Sequence, residues 1–444
     1  MELDIRKFFR ACNPANTLVY NNEEERRYYI DFSSVRGSDI IRTLENHITF
    51  DPKSGQPTCQ LFTGHIGCGK STELMKLQEN LERQDFHVVY FKYSEDLLEV
   101  KDLEITDILL AITRQVSENL ETIGIKLKPN YFIDLFQQLV DFLQTDIDFS
   151  YKKEFSLPLG LGKIIAKTKN DPNLRSRLRQ YLEPRSNQII KAINEEVLGK
   201  ATEKLKEQGK QGLVVIVDNL DRMDNRPKFK DCTQPQYIFV ENGEKLRQLN
   251  CHVVYTIPFV LRFSPEIQVL NNRLGGGIDA IKSLPMIPVK NRDGSKCEEG
   301  LAMLQDMVLA RAFPEIEPQQ RVNLIPQVFE SSETLERLCL ISGGHVRTLL
   351  SIVHRCIPEE DPPISQACLE RVIRSHCNSF LGITDEQWEV LYRISQEKSI
   401  GGKEDCSNLL RILWVFEYPD PQGEPWFDIN PVLKESKKFK SFES

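Results

Sequence analysis

The chain has 444 residues, with 57 Lys and Arg against 65 Asp and Glu, and a formal net charge of −8. This length predicts roughly two to three domains. The acidic balance argues against a protein that binds nucleic acid with its whole surface, although it is compatible with a local basic patch. No apolar run approaches the ~20 residues that a membrane helix needs, and the N-terminus lacks a signal-peptide core. We therefore expect a cytoplasmic protein without a membrane partner.

Eleven cysteines are scattered along the chain without a C-x-x-C pair. A zinc site or a disulfide framework is therefore not predicted, and reduced thiols fit the expected cytoplasmic setting. The first part of the chain, residues 1–50, is interpreted as an N-terminal linker segment. Within it, "RYYIDFSSVRGSDIIRTLENHI" predicts an extended piece, a turn at Arg36 and Gly37, and a helix that Ser38 caps.

Residues 61–74, "LFTGHIGCGKSTEL", carry the pattern G-x-x-x-x-G-K-S between a predicted strand and a predicted amphipathic helix. Glycines allow backbone N–H groups to surround an anion, and the helix N-terminus favours negative charge. In this phosphate-binding loop, Lys70 is expected to reach the β- and γ-phosphates and Ser71 to ligate Mg²⁺. The alternative is a glycine-rich turn without a ligand. The predicted nucleotide-binding residues of the loop are Gly64, His65, Ile66, Gly67, Cys68, Gly69, Lys70, Ser71 and Thr72.

The next predicted strand is "HVVYFKYS", residues 87–94. Residues 103–210 are mostly helical by periodicity, which predicts a helical insertion between core strands. Inside it, "FSLPLGLGKIIAKTK" is interpreted as a hairpin or a mobile loop. Residues 163–191 are rich in Lys and Arg, and this stretch is either a solvated helix face or a patch that contacts phosphate.

The stretch "GLVVIVDNLDRMD", residues 212–224, has the aliphatic run of a buried parallel strand. Asp218 ends this strand, where ligands bind in open α/β sheets, and is a predicted Mg²⁺ ligand. Asp221 is the local candidate to polarise an attacking water, or it caps a helix or pairs with Arg222. Residues 251–261 and 282–289 are the last two predicted core strands, and the first of them contains the polar Thr256.

Residues 296–378 are predicted to form a helical lid domain, in which Arg347 opens a helix after Gly343 and Gly344. Residues 379–444 predict a helix capped by Thr384, a hairpin that turns at "PDPQGEP" and a short helix, which is the order of a winged-helix-like domain. The predicted fold class is therefore α/β, with a P-loop NTPase parallel sheet in residues 51–295, the helical insertion, the lid and the winged-helix-like domain.

Together these features resemble AAA+ ATPases of the origin-recognition type and their relatives, the STAND switch ATPases, over about residues 28–435. The segment "DNLDR" is also similar to the Walker B motif of KAP-type P-loop ATPases, which likewise carry a large insertion. The resemblance implies that ATP and Mg²⁺ are the cofactors. It also implies that Lys70 and Ser71, with Gly69 and Thr72 beside them, form Walker A and that Asp218 is the Walker B acid. Thr256 would be the sensor-1 residue at the γ-phosphate or the attacking water, and Arg347 the sensor-2 arginine. Val35, Arg36 and Gly37 would form the linker over the adenine, and Arg273 is either an arginine finger or a plain surface arginine.

One position departs from the AAA+ pattern, because Asn219 stands where most of these ATPases have a glutamate. An amide can position a water but cannot accept its proton, so we expect a slow or switch-like ATPase. The first hypothesis is a nucleotide-dependent molecular switch that controls self-assembly or a partner effector, in a regulatory or defence role. The second is a DNA-binding ATPase that uses its winged helix, supported by the basic tail "KESKKFKSF". A small-molecule kinase is a third, but no acceptor site is visible.

Overall fold

The computed structural model describes residues 2–50, 56–93, 103–144, 156–168, 171–275, 280–378, 380, 382–401, 405–420 and 424–443. Its strands are β1 (Cys59–Gly64), β2 (His87–Lys92), β3 (Leu213–Asp218), β4 (Pro227–Phe229), β5 (Cys232–Thr233), β6 (His252–Thr256), β7 (Ile281–Leu284), β8 (Val415–Tyr418) and β9 (Trp426–Ile429).

The α-helices are α1 (Ile5–Ala11), α2 (Glu23–Arg26), α3 (Ile40–Thr49), α4 (Lys70–Glu82), α5 (Ile105–Thr122), α6 (Asn130–Leu143), α7 (Leu157–Thr168), α8 (Pro172–Leu182), α9 (Ser186–Ala192), α10 (Gly199–Glu207), α11 (Gly243–Arg247), α12 (Ile267–Leu270), α13 (Glu298–Ala312), α14 (Pro318–Arg321), α15 (Ile325–Val328), α16 (Ser332–Ser342), α17 (Val346–Cys356), α18 (Gln366–Cys377), α19 (Asp385–Glu397), α20 (Asp405–Arg411), α21 (Pro431–Lys434) and α22 (Lys437–Glu443).

The chain forms two compact units, each of which is assembled from segments that are separate in the sequence. We call one the sheet unit, which comprises Arg42–Thr63 and Leu77–Lys282. The other is the P-loop unit, which comprises Met1–Ile41, Gly64–Lys76 and Ser283–Ser444. The P-loop therefore shares its unit with the N-terminal segment and with the C-terminal third of the chain.

The sheet unit is built on a five-stranded sheet of order β2-β3-β6-β1-β7, in which β2, β3, β6 and β1 pair in parallel. The predicted parallel sheet is thus confirmed. All six residues of β3 are buried, as expected for a strand covered on both faces. The carboxyl ends of β1, β3 and β6 lie at the same edge of the sheet, and ligands bind at this edge in open α/β folds. Strand β6 ends at Thr256, earlier than predicted, because Pro258 follows and cannot donate to a ladder.

The helical insertion runs from α5 to α10 between β2 and β3, as the periodicity predicted. The interpretation of "FSLPLGLGKIIAKTK" as a hairpin or a mobile loop was wrong, because residues 157–168 form helix α7. Leu157, Leu161, Ile164 and Ile165 repeat at helical spacing, and all four are buried. Burial of this apolar face overrides the low helix propensity of the two glycines in the segment.

The P-loop unit has its own hydrophobic core, in which the N-terminal segment takes part. Helix α1 packs against α13, and Phe8, Phe32 and Val35 join a buried cluster with residues of α13 and of α15–α18. In the C-terminal part, helices α19 and α20 precede the antiparallel hairpin β8–β9. Residues 421–423 of the predicted turn lie outside the described residues, and the winged-helix assignment stays a prediction. Among the described residues, no helix combines the length and the hydropathy needed to cross a membrane.

Candidate functional site

The loop between β1 and α4 uses glycine at three positions where the backbone φ is positive. Gly64, Gly67 and Gly69 have φ values of 145°, 90° and 109°. A Cβ atom at Gly64 would lie 2.6 Å from the carbonyl oxygen of Leu284, and one at Gly67 would lie 2.7 Å from the Nε2 atom of His345. A Cβ at Gly69 would meet no heavy atom within 4 Å. Gly64 and Gly67 are therefore required by both conformation and space, whereas Gly69 is required by conformation alone.

The side chain of Lys70 folds back onto its own loop. Its Nζ atom donates to the carbonyl oxygens of Gly64 (2.8 Å) and His65 (2.9 Å). Lys70 is only 5% exposed, so these bonds compensate part of the cost of burying an ammonium group. The lysine that the motif assigns to phosphates thus lies against the inside of the loop.

The next three carbonyl groups of the loop accept hydrogen bonds from other parts of the P-loop unit. The donors are the Nε2 atom of His345 to Ile66 (2.8 Å), the backbone N–H of Arg347 to Gly67 (3.2 Å) and the Nη2 atom of Arg36 to Cys68 (2.7 Å). Every carbonyl from residue 64 to residue 68 therefore has a protein donor.

The directions of these carbonyl groups determine which way the amide groups of the loop point. In a trans peptide the C=O of one residue and the N–H of the next point in opposite directions. The amides of Gly67 and Gly69 follow the tethered carbonyls of Ile66 and Cys68, so they face the side away from His345 and Arg36. At the start of α4 the amides of Thr72 and Glu73 both donate to the carbonyl of Gly69, so the helix contributes mainly the positive end of its dipole. Such a nest of N–H groups beside a lysine fits a phosphate chain.

His345 is the side chain that ties helix α17 to the loop, and the sequence analysis missed it in favour of Arg347. It is 2% exposed, and its Nδ1 atom lies 2.7 Å from the hydroxyl of Thr348. Because a carbonyl only accepts, the Nε2 atom that faces Ile66 carries the proton, and Nδ1 accepts from Thr348. Burial lowers the pKa of His345 to about 4, so the imidazole is neutral at physiological pH. The available signal was a histidine two residues before the predicted helix start at Arg347.

His65 connects the same loop to the C-terminal hairpin. Its Nε2 atom accepts the backbone N–H of Glu417 in β8 at 3.0 Å, and its ring meets the ring of Phe416 edge-on. The ring of Phe416 also contacts His345, at 5.8 Å between centroids. Strand β8 is fixed further by the hydroxyl of Tyr418, which donates to the carbonyl of Gly343 at 2.8 Å. The P-loop, the start of α17 and β8 therefore form one packed cluster.

Arg36 and Val35, expected at the adenine, are both buried in the P-loop unit. Besides its bond to Cys68, the Arg36 guanidinium lies 3.4 Å from the carboxylate of Glu73 in α4. Burial raises the pKa of Glu73, and the charge of Arg36 opposes this effect. Val35 belongs to the hydrophobic cluster of the unit. The structure thus gives Arg36 a bracing contact with the loop, and the adenine role of both residues stays a prediction.

In the sheet unit, Asp218 ends β3 with a carboxylate that is held at both oxygens. The hydroxyl of Tyr90 donates to Oδ2 at 2.8 Å, and the backbone N–H of Asn219 donates to Oδ1 at 2.7 Å. Asp218 is 1% exposed. A carboxylate accepts about four hydrogen bonds or metal contacts, so capacity remains for a hard cation such as Mg²⁺. Sequence reasoning did not find Tyr90, since β-strand pairing brings it to Asp218.

Thr256 and Asp221 lie in the same corner of the sheet unit. The hydroxyl of Thr256 accepts the backbone N–H of Leu220 at 3.1 Å and donates to the carbonyl of Val217 at 3.3 Å. Between these two residues, Asn219 takes a left-handed conformation with a φ of 70°. Asp221 follows in a 3₁₀ turn and is 9% exposed. The structure therefore brings Asp218, Asp221 and Thr256 together around one turn.

Arg273 lies at the edge of the sheet unit. Its Nη1 atom donates to the carbonyl of Val240 at 3.1 Å and lies 3.8 Å from the carboxylate of Glu241. These contacts match the plain alternative of a surface arginine, and the arginine-finger role stays a prediction. The remaining site residues of the sequence analysis, Ser71 and Thr72, lie in the first turn of α4.

Comparison with known proteins gives one family match. Residues 38–228 match the KAP family P-loop domain, a range that contains the P-loop, the helical insertion and the strand that ends at Asp218. No curated protein matches the sequence. Among solved structures, a chain described as the structure of Drosophila ORC bound to DNA matches with 13% identity and a TM-score of 0.39, over 89% of this chain and 73% of that chain. A likeness at this score supports no argument about function. The family match and the geometry of residues 64–70 together identify residues 38–228 as a P-loop NTPase domain.

Proposed function

We propose that the chain binds ATP with Mg²⁺ and acts as a nucleotide-dependent switch. The observation that carries the proposal is the position of the P-loop between two sets of contacts. The amides of Gly67 and Gly69 point away from the donors that hold the preceding carbonyls, and the carbonyls of residues 66 and 67 hold the start of α17. A change of the loop backbone on one side therefore changes the hydrogen bonds on the other.

The ammonium group of Lys70 is the first element of this response. It now donates to the carbonyls of Gly64 and His65, and phosphate oxygens compete for the same N–H groups. When Lys70 turns to phosphate, the carbonyl of His65 loses a charged donor. The ring of the same residue accepts the amide of Glu417, so the effect reaches β8 directly. Such differential contacts are what a two-state switch requires.

Ser71 and Asp218 are the residues proposed to hold Mg²⁺, with a hydroxyl and a carboxylate oxygen. When bound, Mg²⁺ would supply positive charge to the phosphate oxygens. Asn219 cannot act as a base, and Asp221 is the proposed residue that orients and polarises water. Because phosphoryl transfer depends mainly on positioning and charge, this arrangement supports slow hydrolysis.

The output of the switch is proposed to be self-assembly or the release of a partner protein, in a regulatory or defence setting. No specific contact favours the DNA-binding alternative. Three lysines of the basic tail are paired with carboxylates: Lys434 with Asp428, Lys438 with Asp385 and Lys440 with Glu435. These pairs reduce the positive charge that the tail offers to a phosphate backbone.

The test is calorimetric titration of ATP with Mg²⁺ into the wild type and Lys70→Ala, followed by titration of duplex DNA at two salt concentrations. The proposal expects ATP binding by the wild type, a loss of at least about 10-fold in affinity in Lys70→Ala, since a charged hydrogen bond contributes about 1.5–3 kcal/mol, and no DNA binding. A wild type that does not bind ATP overturns the proposal. Salt-sensitive DNA binding that depends on ATP would establish the DNA-binding alternative instead.

A further inference from the structure

Two side chains from neighbouring strands hold the segment from Asp218 to Asp221. Tyr90 comes from β2 and Thr256 from β6, the two strands that flank β3. Tyr90 reaches the carboxylate of Asp218, and Thr256 spans the turn that follows it. Both contacts are made by side-chain hydroxyls and not by the backbone ladder, so pairing of the strands does not explain them.

We infer that Tyr90 and Thr256 are positioning residues of the nucleotide site, Tyr90 for the metal-binding carboxylate and Thr256 for the water-polarising acid. The inference rests on the proposed function. It assigns no chemical step to either residue, because Tyr90 acts through Asp218 and Thr256 acts through the backbone that carries Asp221.

Tyr90 helps to fix the orientation of the Asp218 carboxylate. Its two oxygens accept one hydrogen bond each, from the Tyr90 hydroxyl at 2.8 Å and the Asn219 amide at 2.7 Å. Two donors at two different oxygens fix the plane of the group. Both donors are neutral, so these two hydrogen bonds add no positive charge to the carboxylate; the charge that Asp218 does face is that of Lys92, its register partner on β2. Partners of this kind orient metal-binding carboxylates, and their loss typically costs 10–100-fold in metal affinity or activity.

Thr256 has a single hydroxyl proton and can therefore donate only one hydrogen bond. A hydroxyl that reads the γ-phosphate has to donate to a phosphate oxygen, but this hydroxyl donates to Val217 and accepts from Leu220. Its two bonds close the turn in which Asn219 is left-handed and Asp221 follows. Thr256 is fully buried. The hydroxyl therefore fixes the turn that carries Asp221, in place of the phosphate contact expected for a sensor-1 residue.

Tyr90→Phe tests the first half of the inference, with calorimetric titration of ATP in EDTA and in Mg²⁺. We expect unchanged ATP affinity in EDTA and a gain from Mg²⁺ that is about 10-fold smaller than in the wild type. Tyr181→Phe, which removes a hydroxyl bonded to Gln138 in the insertion, is the matched control and should keep the full gain. A full gain in Tyr90→Phe overturns this half. Absence of ATP binding by the wild type would instead reject the proposed function.

Thr256→Val and Thr256→Ser test the second half, with amide hydrogen exchange at Leu220 in the protein without nucleotide. Val lacks the hydroxyl and should raise the exchange rate about 10-fold, the equivalent of one hydrogen bond, whereas Ser should keep the wild-type rate. Phosphate release should fall in Thr256→Val at unchanged ATP affinity and recover in Thr256→Ser. Unchanged exchange at Leu220 in Thr256→Val overturns this half, and so does a loss of ATP affinity, which would indicate a direct phosphate contact.

Discussion

The Nε2 atom of His345 donates a hydrogen bond to the carbonyl oxygen of Ile66 at 2.8 Å, and this bond joins the start of α17 to the P-loop. Gly67, the next residue of the loop, passes so close to the same imidazole that a Cβ atom would lie 2.7 Å from Nε2. The loop and the helix are therefore fitted to each other at atomic contact distance. The first three predictions change this contact, or the network around it, one group at a time.

The first prediction compares alanine at two glycines of the loop. In Gly67→Ala the new Cβ clashes with His345 and Arg347, and φ is 90°, whereas in Gly69→Ala only the φ of 109° is unfavourable. We expect Gly69→Ala to lose about 1–2 kcal/mol of unfolding free energy from backbone strain and Gly67→Ala to lose clearly more. Urea unfolding of both variants measures this difference. Equal losses of unfolding free energy would mean that His345 and Arg347 do not restrict the space at residue 67.

The second prediction concerns pH. Burial lowers the pKa of His345 from 6.5 to about 4, so the unfolded chain takes up this proton at a higher pH than the folded chain. The stability that neutral His345 contributes is complete above pH 6.5 and is lost as the pH falls towards 4, by about 1.4 kcal/mol per pH unit within that window.

The measurement is the difference in unfolding free energy between the wild type and His345→Gln from pH 4 to pH 7.5. Taking the difference removes the contributions of other groups, such as Glu73, whose pKa is raised. The difference should become more favourable to the wild type as the pH rises. A difference that stays constant across the window would show that His345 titrates normally and is not enclosed.

The third prediction concerns Arg36, which braces the loop at Cys68 and faces the buried Glu73. Arg36→Ala removes the main counter-charge of a buried carboxylate, with only Lys76 left to oppose its charge, and breaking such a pair costs about 3–5 kcal/mol of unfolding free energy. The control is Arg27→Ala, whose ion pair with Glu315 is half exposed on both sides and contributes at most about 1 kcal/mol. Similar losses in the two variants would refute the bracing role.

Much of the fold could be predicted from the sequence because its signals are local. The aliphatic run of β3 and the glycines of the P-loop each determine their own backbone, and the family match to residues 38–228 agrees with both. Helix α7 was missed because its formation depends on the burial of Leu161 and Ile164 in the insertion, which the local sequence does not show.

The side chains that organise the candidate site were harder to predict, since they come from distant parts of the chain. His345 lies 279 positions from Ile66, Glu417 lies 352 positions from His65, and Tyr90 lies 128 positions from Asp218. No local sequence pattern contains both residues of such a pair. The motif could indicate what the loop binds, but only the tertiary structure shows what holds the loop.

The fourth prediction concerns hydrolysis. Asp221→Asn should lower steady-state phosphate release from ATP at least about 100-fold, the lower end of the usual contribution of general acid–base catalysis, with ATP affinity unchanged. The control is Asp224→Asn, an acid three residues further on that pairs with Arg226 at 2.7 Å, and it should keep the wild-type rate. If Asp221→Asn releases phosphate as fast as the wild type, another group polarises the water. If the wild type releases none, the hydrolysis proposal fails.

Hydrogen exchange of the whole chain without nucleotide, with ADP and with ATP, each with Mg²⁺, in the wild type and Lys70→Ala, measures whether the nucleotide acts on the contacts of the P-loop. We expect that ATP protects residues 64–72 and, in the same sample, changes exchange at the start of α17 and in β8. ADP and Lys70→Ala should not reproduce this pattern. Protection of the P-loop without any change in α17 or β8 would contradict the switch, because the bonds of His345 and His65 would then transmit nothing.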